Sequence, residues 1–127
     1  MRRQLFSIKA KIVTGLMICF LSIAGCRYDV EPNVFCDTSN ITYSSTITGI
    51  INTYGCLSSS CHGGANPPAG FSLSGYDAVK AKVTDGRLFG AISHSSGFVA
   101  MPENLGKMDQ CDINKVKAWI DAGAPNN

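Results

Sequence analysis

The chain is poor in charge. Only 16% of its 127 residues are Asp, Glu, Lys or Arg, and the net balance of +2 comes from Arg2, Arg3, Lys9 and Lys11 at the start. From Cys26 onward seven Lys and Arg face nine Asp and Glu, a balance near −2. That is no basic face for neutralising phosphates, so nucleic acid is not an expected partner. Histidine is scarcer still: His62 and His94 are the only two. No Ser-His-Asp arrangement stands out among the many serines, and no catalytic acid, base or nucleophile is evident, so an enzyme is not expected. The apolar run over residues 12–24 is 13 residues long, short of the roughly 20 that span a bilayer as a helix. Large aliphatic residues are few between residues 55 and 87, so the chain has little there with which to build a core of its own. There is no internal repeat and no low-complexity segment.

What is present at the start reads as an export signal. A basic stretch followed by a short apolar run fits a signal peptide over residues 1–25. Ile23-Ala24-Gly25-Cys26 resembles a lipobox, which implies that Cys26 becomes the lipidated first residue. The acyl chains would tether the protein to a membrane, each buried methylene contributing about 0.8 kcal/mol. Arg27 after that cysteine points to the outer membrane, with the domain facing the periplasm or the exterior. Residues 26–42 are expected as anchor and linker, and residues 43–127 as one domain.

Within that domain the apolar spacing predicts helices. Ile47, Ile50, Ile51 and Tyr54 form one stripe over residues 44–54, with Ser44 or Ser45 as cap and Gly55 as stop; a strand is the competing reading, given the β-branched residues there. Residues 55–70 are a Gly/Pro-rich loop. Residues 75–83, capped by Ser74, and residues 87–93 are predicted short helices, followed by an irregular stretch to 108. The last helix has Asp112 as its predicted N-cap, Ile113, Val116 and Ile120 on one face, Gly123 at its end and Pro125 beyond.

The cysteines carry the chemistry. Cys19 lies in the signal and Cys26 at the lipid site, which leaves Cys36, Cys56, Cys61 and Cys111. In an oxidising compartment four cysteines commonly make two disulfides. The run Cys56-Leu57-Ser58-Ser59-Ser60-Cys61-His62 argues for a different split. Two cysteines followed at once by histidine are the attachment signature of haem c: the sulfurs form thioethers with the vinyl groups and the imidazole ligates iron. The usual spacer has two residues; this one has four, and small serines permit the extra two to bulge outward. Six-coordinate iron takes a second axial ligand, commonly Met or His. Met101, before Pro102 in a glycine-bearing stretch, is the expected one. His94 and an open position are the alternatives, although His94 also reads as an ordinary exposed loop histidine. The non-haem reading joins Cys56 to Cys61 in a local disulfide, leaves His62 on the surface and makes Met101 a core filler.

An amphipathic helix running into Cys-x4-Cys-His, a helical middle leading to Met101-Pro102, and a terminal helix ending in Trp119-Ile120-Asp121-Ala122-Gly123-Ala124-Pro125 together resemble a class I c-type cytochrome domain. The resemblance is specifically to the small monohaem lipoprotein cytochromes of Bacteroidetes-like bacteria. The resemblance covers about residues 36–127 and also includes Cys36-Asp37-Thr38. It implies an all-α, cytochrome c-like fold of three to four short helices around one haem c with long loops. It implies thioether roles for Cys56 and Cys61, axial roles for His62 and Met101, and one-electron transfer to redox partner proteins in the cell envelope. In that family the first and last helices cross, which implies that Cys36 and Cys111 meet in a disulfide. The haem would be contacted by Ile50, Tyr54, Phe71, Phe98, Leu105 and Trp119, among others. Two further readings stay open: a haem-free, disulfide-stabilised structural or binding lipoprotein, and a haem sensor or enzyme with an open distal site.

Overall fold

The computed structural model describes residues 35–127; the expected signal peptide, the lipidation site at Cys26 and the start of the linker lie outside the described residues. Phe35–Asn127 is one compact unit. A single π-helical turn, Tyr43–Ile47, runs directly into α1, Thr48–Thr53. Then come α2 (Tyr76–Thr84), α3 (Arg87–Ile92) and α4 (Gln110–Asp121), with no strand among the described residues. The architecture is all-α. No described helix is long and apolar enough to cross a membrane.

The opening turn is π rather than α because it is built from weak helix formers, Tyr-Ser-Ser-Thr-Ile, and tertiary partners decide its geometry. Ile47 N–H reaches back to the Thr42 carbonyl at 3.1 Å, and Thr48 Oγ1 donates to the Ser44 carbonyl at 2.8 Å. Ser44 and Ser45 do not cap this helix. Its first amides are satisfied from the far end of the chain: Tyr43 N–H donates to Asn127 Oδ1 at 2.9 Å and Ser44 N–H to the Asn127 carbonyl at 2.8 Å.

Two other expected caps are also corrected. α2 begins after Gly75, at φ +89° with no side-chain cap; Ser74 instead donates its own N–H to Ser72 Oγ. α4 begins earlier than the apolar period indicates. Asp109, not Asp112, is its N-cap, accepting from Cys111 N–H at 2.8 Å. Asp112 lies in the first turn, where its negative charge suits the helix dipole. It accepts from Tyr54 OH at 3.1 Å and pairs with Lys115 at 3.2 Å.

The core forms where the first and last helices meet. Ile47, Val79 and Trp119 are the largest fully buried side chains. Trp119 lies 5.8 Å from the Tyr43 ring, and Tyr76 meets Tyr43 edge-on at 5.1 Å. The indole N–H donates to the Pro125 carbonyl at 2.9 Å, so Trp119 serves the helix crossing. Ile50, Ile51, Leu73, Ile92, Met108, Ile113 and Val116 complete the cluster. α2 packs on α3 and α3 on α4. A disulfide joins Cys36 to Cys111 across 75 residues of sequence, with Cα atoms 5.4 Å apart, and so ties the segment before the first helix to the start of α4.

Candidate functional site

The first thiol is placed by a helix ending. Gly55, at φ +64°, donates to the Asn52 carbonyl, and Cys56 N–H donates to the Ile51 carbonyl at 3.0 Å. This pair of bonds is a Schellman motif, and the left-handed residue it needs is the glycine. Cys56 therefore leaves α1 in a set direction, half-buried against the core.

From there the backbone folds on itself. His62 N–H donates to the Cys56 carbonyl at 2.9 Å, Cys61 N–H to Ser58 at 3.0 Å and Gly63 N–H to Ser58 at 3.1 Å. Residues 57–61 loop outward and are exposed, while His62 and Gly63 turn inward and are buried. The four-residue spacer is thus taken up as a closed bulge. Gly63 is required by space: a Cβ there would overlap the Leu57 carbonyl oxygen and lie 2.7 Å from its carbon and 2.9 Å from the Ser58 oxygen, all backbone atoms.

Cys56 and Cys61 are both free, Cys61 exposed. Burial pushes the Cys56 thiol above its ordinary range, and the nearby Cys61 adds to the shift. No three His, Cys, Asp or Glu side chains among the described residues are gathered to hold a metal ion.

His62 is the one buried polar or charged side chain in the domain, 6% exposed. Its Nδ1 lies 3.2 Å from the Phe71 carbonyl oxygen. A carbonyl only accepts, so Nδ1 carries the proton and the neutral ring keeps its lone pair on Nε2. No hydrogen bond engages Nε2 among the described residues. The ring packs on Phe71, centroids 4.5 Å apart, and Lys82 Nζ sits 4.7 Å from the centroid of Phe71 on a cation–π contact. The His62 carbonyl accepts from Leu73 N–H at 3.0 Å and Ser72 Oγ at 3.3 Å. The imidazole is therefore held on both its ring and its backbone.

Met101 is half-buried and packs against the core cluster; the Met101–Pro102 peptide is cis. Its N–H donates to the Ala91 carbonyl at 3.1 Å, and its carbonyl faces His94 Nε2 at 3.0 Å. No hydrogen bond or ring contact joins His62 to Met101 among the described residues. His94 is exposed. Phe98, Val99 and Leu105 around Met101 are exposed apolar side chains, 42%, 67% and 68%. Of two surface concavities, one of about 370 Å³ lies beside Cys36 and Asn114, and one of about 280 Å³ borders the bulge at Leu57, with Tyr43, Ile51 and Leu73.

The roles of the Phe71 carbonyl and of Gly63 are absent from a reading of side-chain motifs. A backbone acceptor leaves no mark in sequence. The glycine does leave one, directly after the histidine. No protein-family model, curated protein or solved structure matches this chain.

Proposed function

We propose that this protein is an exported, lipid-anchored monohaem c-type cytochrome with a cytochrome c-like fold, acting as a one-electron carrier for redox partners in the cell envelope. The observation that carries this reading is His62: a buried imidazole whose Nδ1–H is held by a backbone carbonyl, which leaves the lone pair of the neutral ring on Nε2, directly after a bulge bearing two free thiols. Outer hydrogen bonds of this kind set the tautomer and aim of metal-bound histidines.

The residues fit a tethered haem. Cys56 and Cys61 would supply the two thioether sulfurs, His62 one axial ligand and Met101 the other. Phe71, Leu88 and Phe89, half-buried, and Phe98, Val99 and Leu105, exposed, offer the apolar surface that such a group covers. The haem supplies a one-electron iron couple. The chain's own part is to hold His62 at a fixed angle through Phe71 and to exclude water with its apolar residues. A thioether ligand from Met101 would favour a relatively high potential.

The test is optical. The chain, exported in a host with haem-attachment machinery, should give a low-spin spectrum. Met101→Ala should turn it high-spin with fast carbon monoxide binding to the reduced form, and His62→Ala should lose the low-spin haem. A Met101→Ala spectrum identical to wild type rejects Met101 as the ligand; a colourless wild-type protein rejects the whole reading.

A further inference from the structure

His94 occupies an unusual place. Helix α3 ends in a Schellman motif in which His94 N–H donates to the Ala91 carbonyl at 3.2 Å and Ser95 N–H to the Gly90 carbonyl at 2.9 Å. The left-handed residue of such a motif is most often glycine. Here it is histidine, at φ +57°. A non-glycine residue there carries backbone strain, and such strain persists where the surroundings require that side chain.

The surroundings supply a reason. The left-handed backbone swings the imidazole toward the following loop, where Nε2 lies 3.0 Å from the Met101 carbonyl oxygen. A carbonyl only accepts, so Nε2 carries the proton and donates. Met101 is then held at both of its backbone groups, with its N–H on Ala91. Between the two anchors Phe98 lies over Gly90, so close that a Cβ on that glycine would meet its ring at 2.5 Å. The anchored loop is otherwise exposed from His94 to Ala100. Among the described residues, no other hydrogen bond reaches the Met101 carbonyl.

We infer that His94 is a positioning residue: it donates to the Met101 carbonyl and so holds the Met101 thioether in place as the distal ligand. This rests on the proposed haem reading. It assigns His94 to holding the ligand rather than to competing with it.

Three variants test this in the full, haem-loaded chain. His94→Gly removes the donor and relieves the positive φ together, so thermal stability should hold or rise. Carbon monoxide binding to the reduced form, which requires the thioether to leave, should nevertheless quicken about fivefold, the scale of one lost hydrogen bond. His94→Gln, whose side-chain amide places an N–H donor near the same point, should restore the slow rate. Met101→Ala sets the fast limit. An unchanged rate in His94→Gly overturns the inference, as does a fast rate that Gln fails to slow. A wild-type rate already equal to that of Met101→Ala instead overturns the reading of Met101 as ligand, and the inference falls with it. In the haem-free chain, His94→Gly should also speed hydrogen exchange at the Met101 amide, and Gln should slow it again; exchange equal to wild type in His94→Gly counts against the anchor itself.

Discussion

Replacing Gly63 with alanine puts a Cβ onto the Leu57 carbonyl oxygen, with the Leu57 carbon and Ser58 oxygen at 2.7 and 2.9 Å. None of these is the end of a flexible side chain, so the bulge must open. Opening it separates the partners of His62 N–H to Cys56 at 2.9 Å and Gly63 N–H to Ser58 at 3.1 Å. At about 1 kcal/mol each, their loss costs about 2 kcal/mol. In a domain of this size that lowers Tm by roughly 8–16 °C. The same movement takes Cys56 and His62 apart, so haem attachment should fall with stability. Differential scanning calorimetry of the haem-free chain reads the first effect, and haem content per purified protein reads the second. Gly49→Ala is the control: nothing lies within 4 Å of its would-be Cβ, and a helical glycine to alanine change stabilises by about 0.5–1 kcal/mol. A Gly63→Ala protein with wild-type Tm and full haem content refutes the close-packed bulge.

Removing the disulfide by Cys36→Ser with Cys111→Ser should cost up to about 4.5 kcal/mol on the chain-entropy model for a 75-residue separation, read as a lower urea midpoint; an unchanged midpoint refutes the linkage. In the haem-free chain with that disulfide intact, a neutral-pH alkylating reagent should modify exposed Cys61 before Cys56, whose thiol is half-buried and pushed up by burial; peptide mapping with the opposite order counts against the site geometry. Asp85 is held below the ordinary carboxylate range, first by the Arg87 N–H and then by Lys82 and Arg87. Its folded pKa is depressed, so its contribution is present above the ordinary range and lost as pH falls below about 4. Asp85→Asn should flatten that part of the acid unfolding curve, and an unaltered curve contradicts it.

The all-α character and the rough helix positions were legible because much of the predicted apolar spacing survives in the core: Ile47, Ile50 and Ile51 in the first helix, Val79 in the second, Ile113 and Val116 in the last, where Trp119 is buried and Ile120, expected on that face, is only partly so. Helix starts were less so. The apolar period points to Asp112 as the last N-cap; the fold puts it at Asp109 and turns Asp112 to Tyr54 and Lys115. Ser44 and Ser45 gave way to Asn127, at the other end of the sequence. The Cys56, Cys61 and His62 set could be read as a motif, whereas the Phe71 carbonyl that aims His62 could not. His94 was legible as exposed, but its left-handed backbone and its bond to Met101 arise from how α3 ends.

Covalent haem on Cys56 and Cys61 is read directly on a denaturing gel. The mature protein, exported in a host with haem-attachment machinery and boiled in detergent, should carry a haem-staining band at its own mass, lost when Cys56 and Cys61 are both replaced by serine. A colourless wild-type band, or a haem stain that persists in the double variant, contradicts the account.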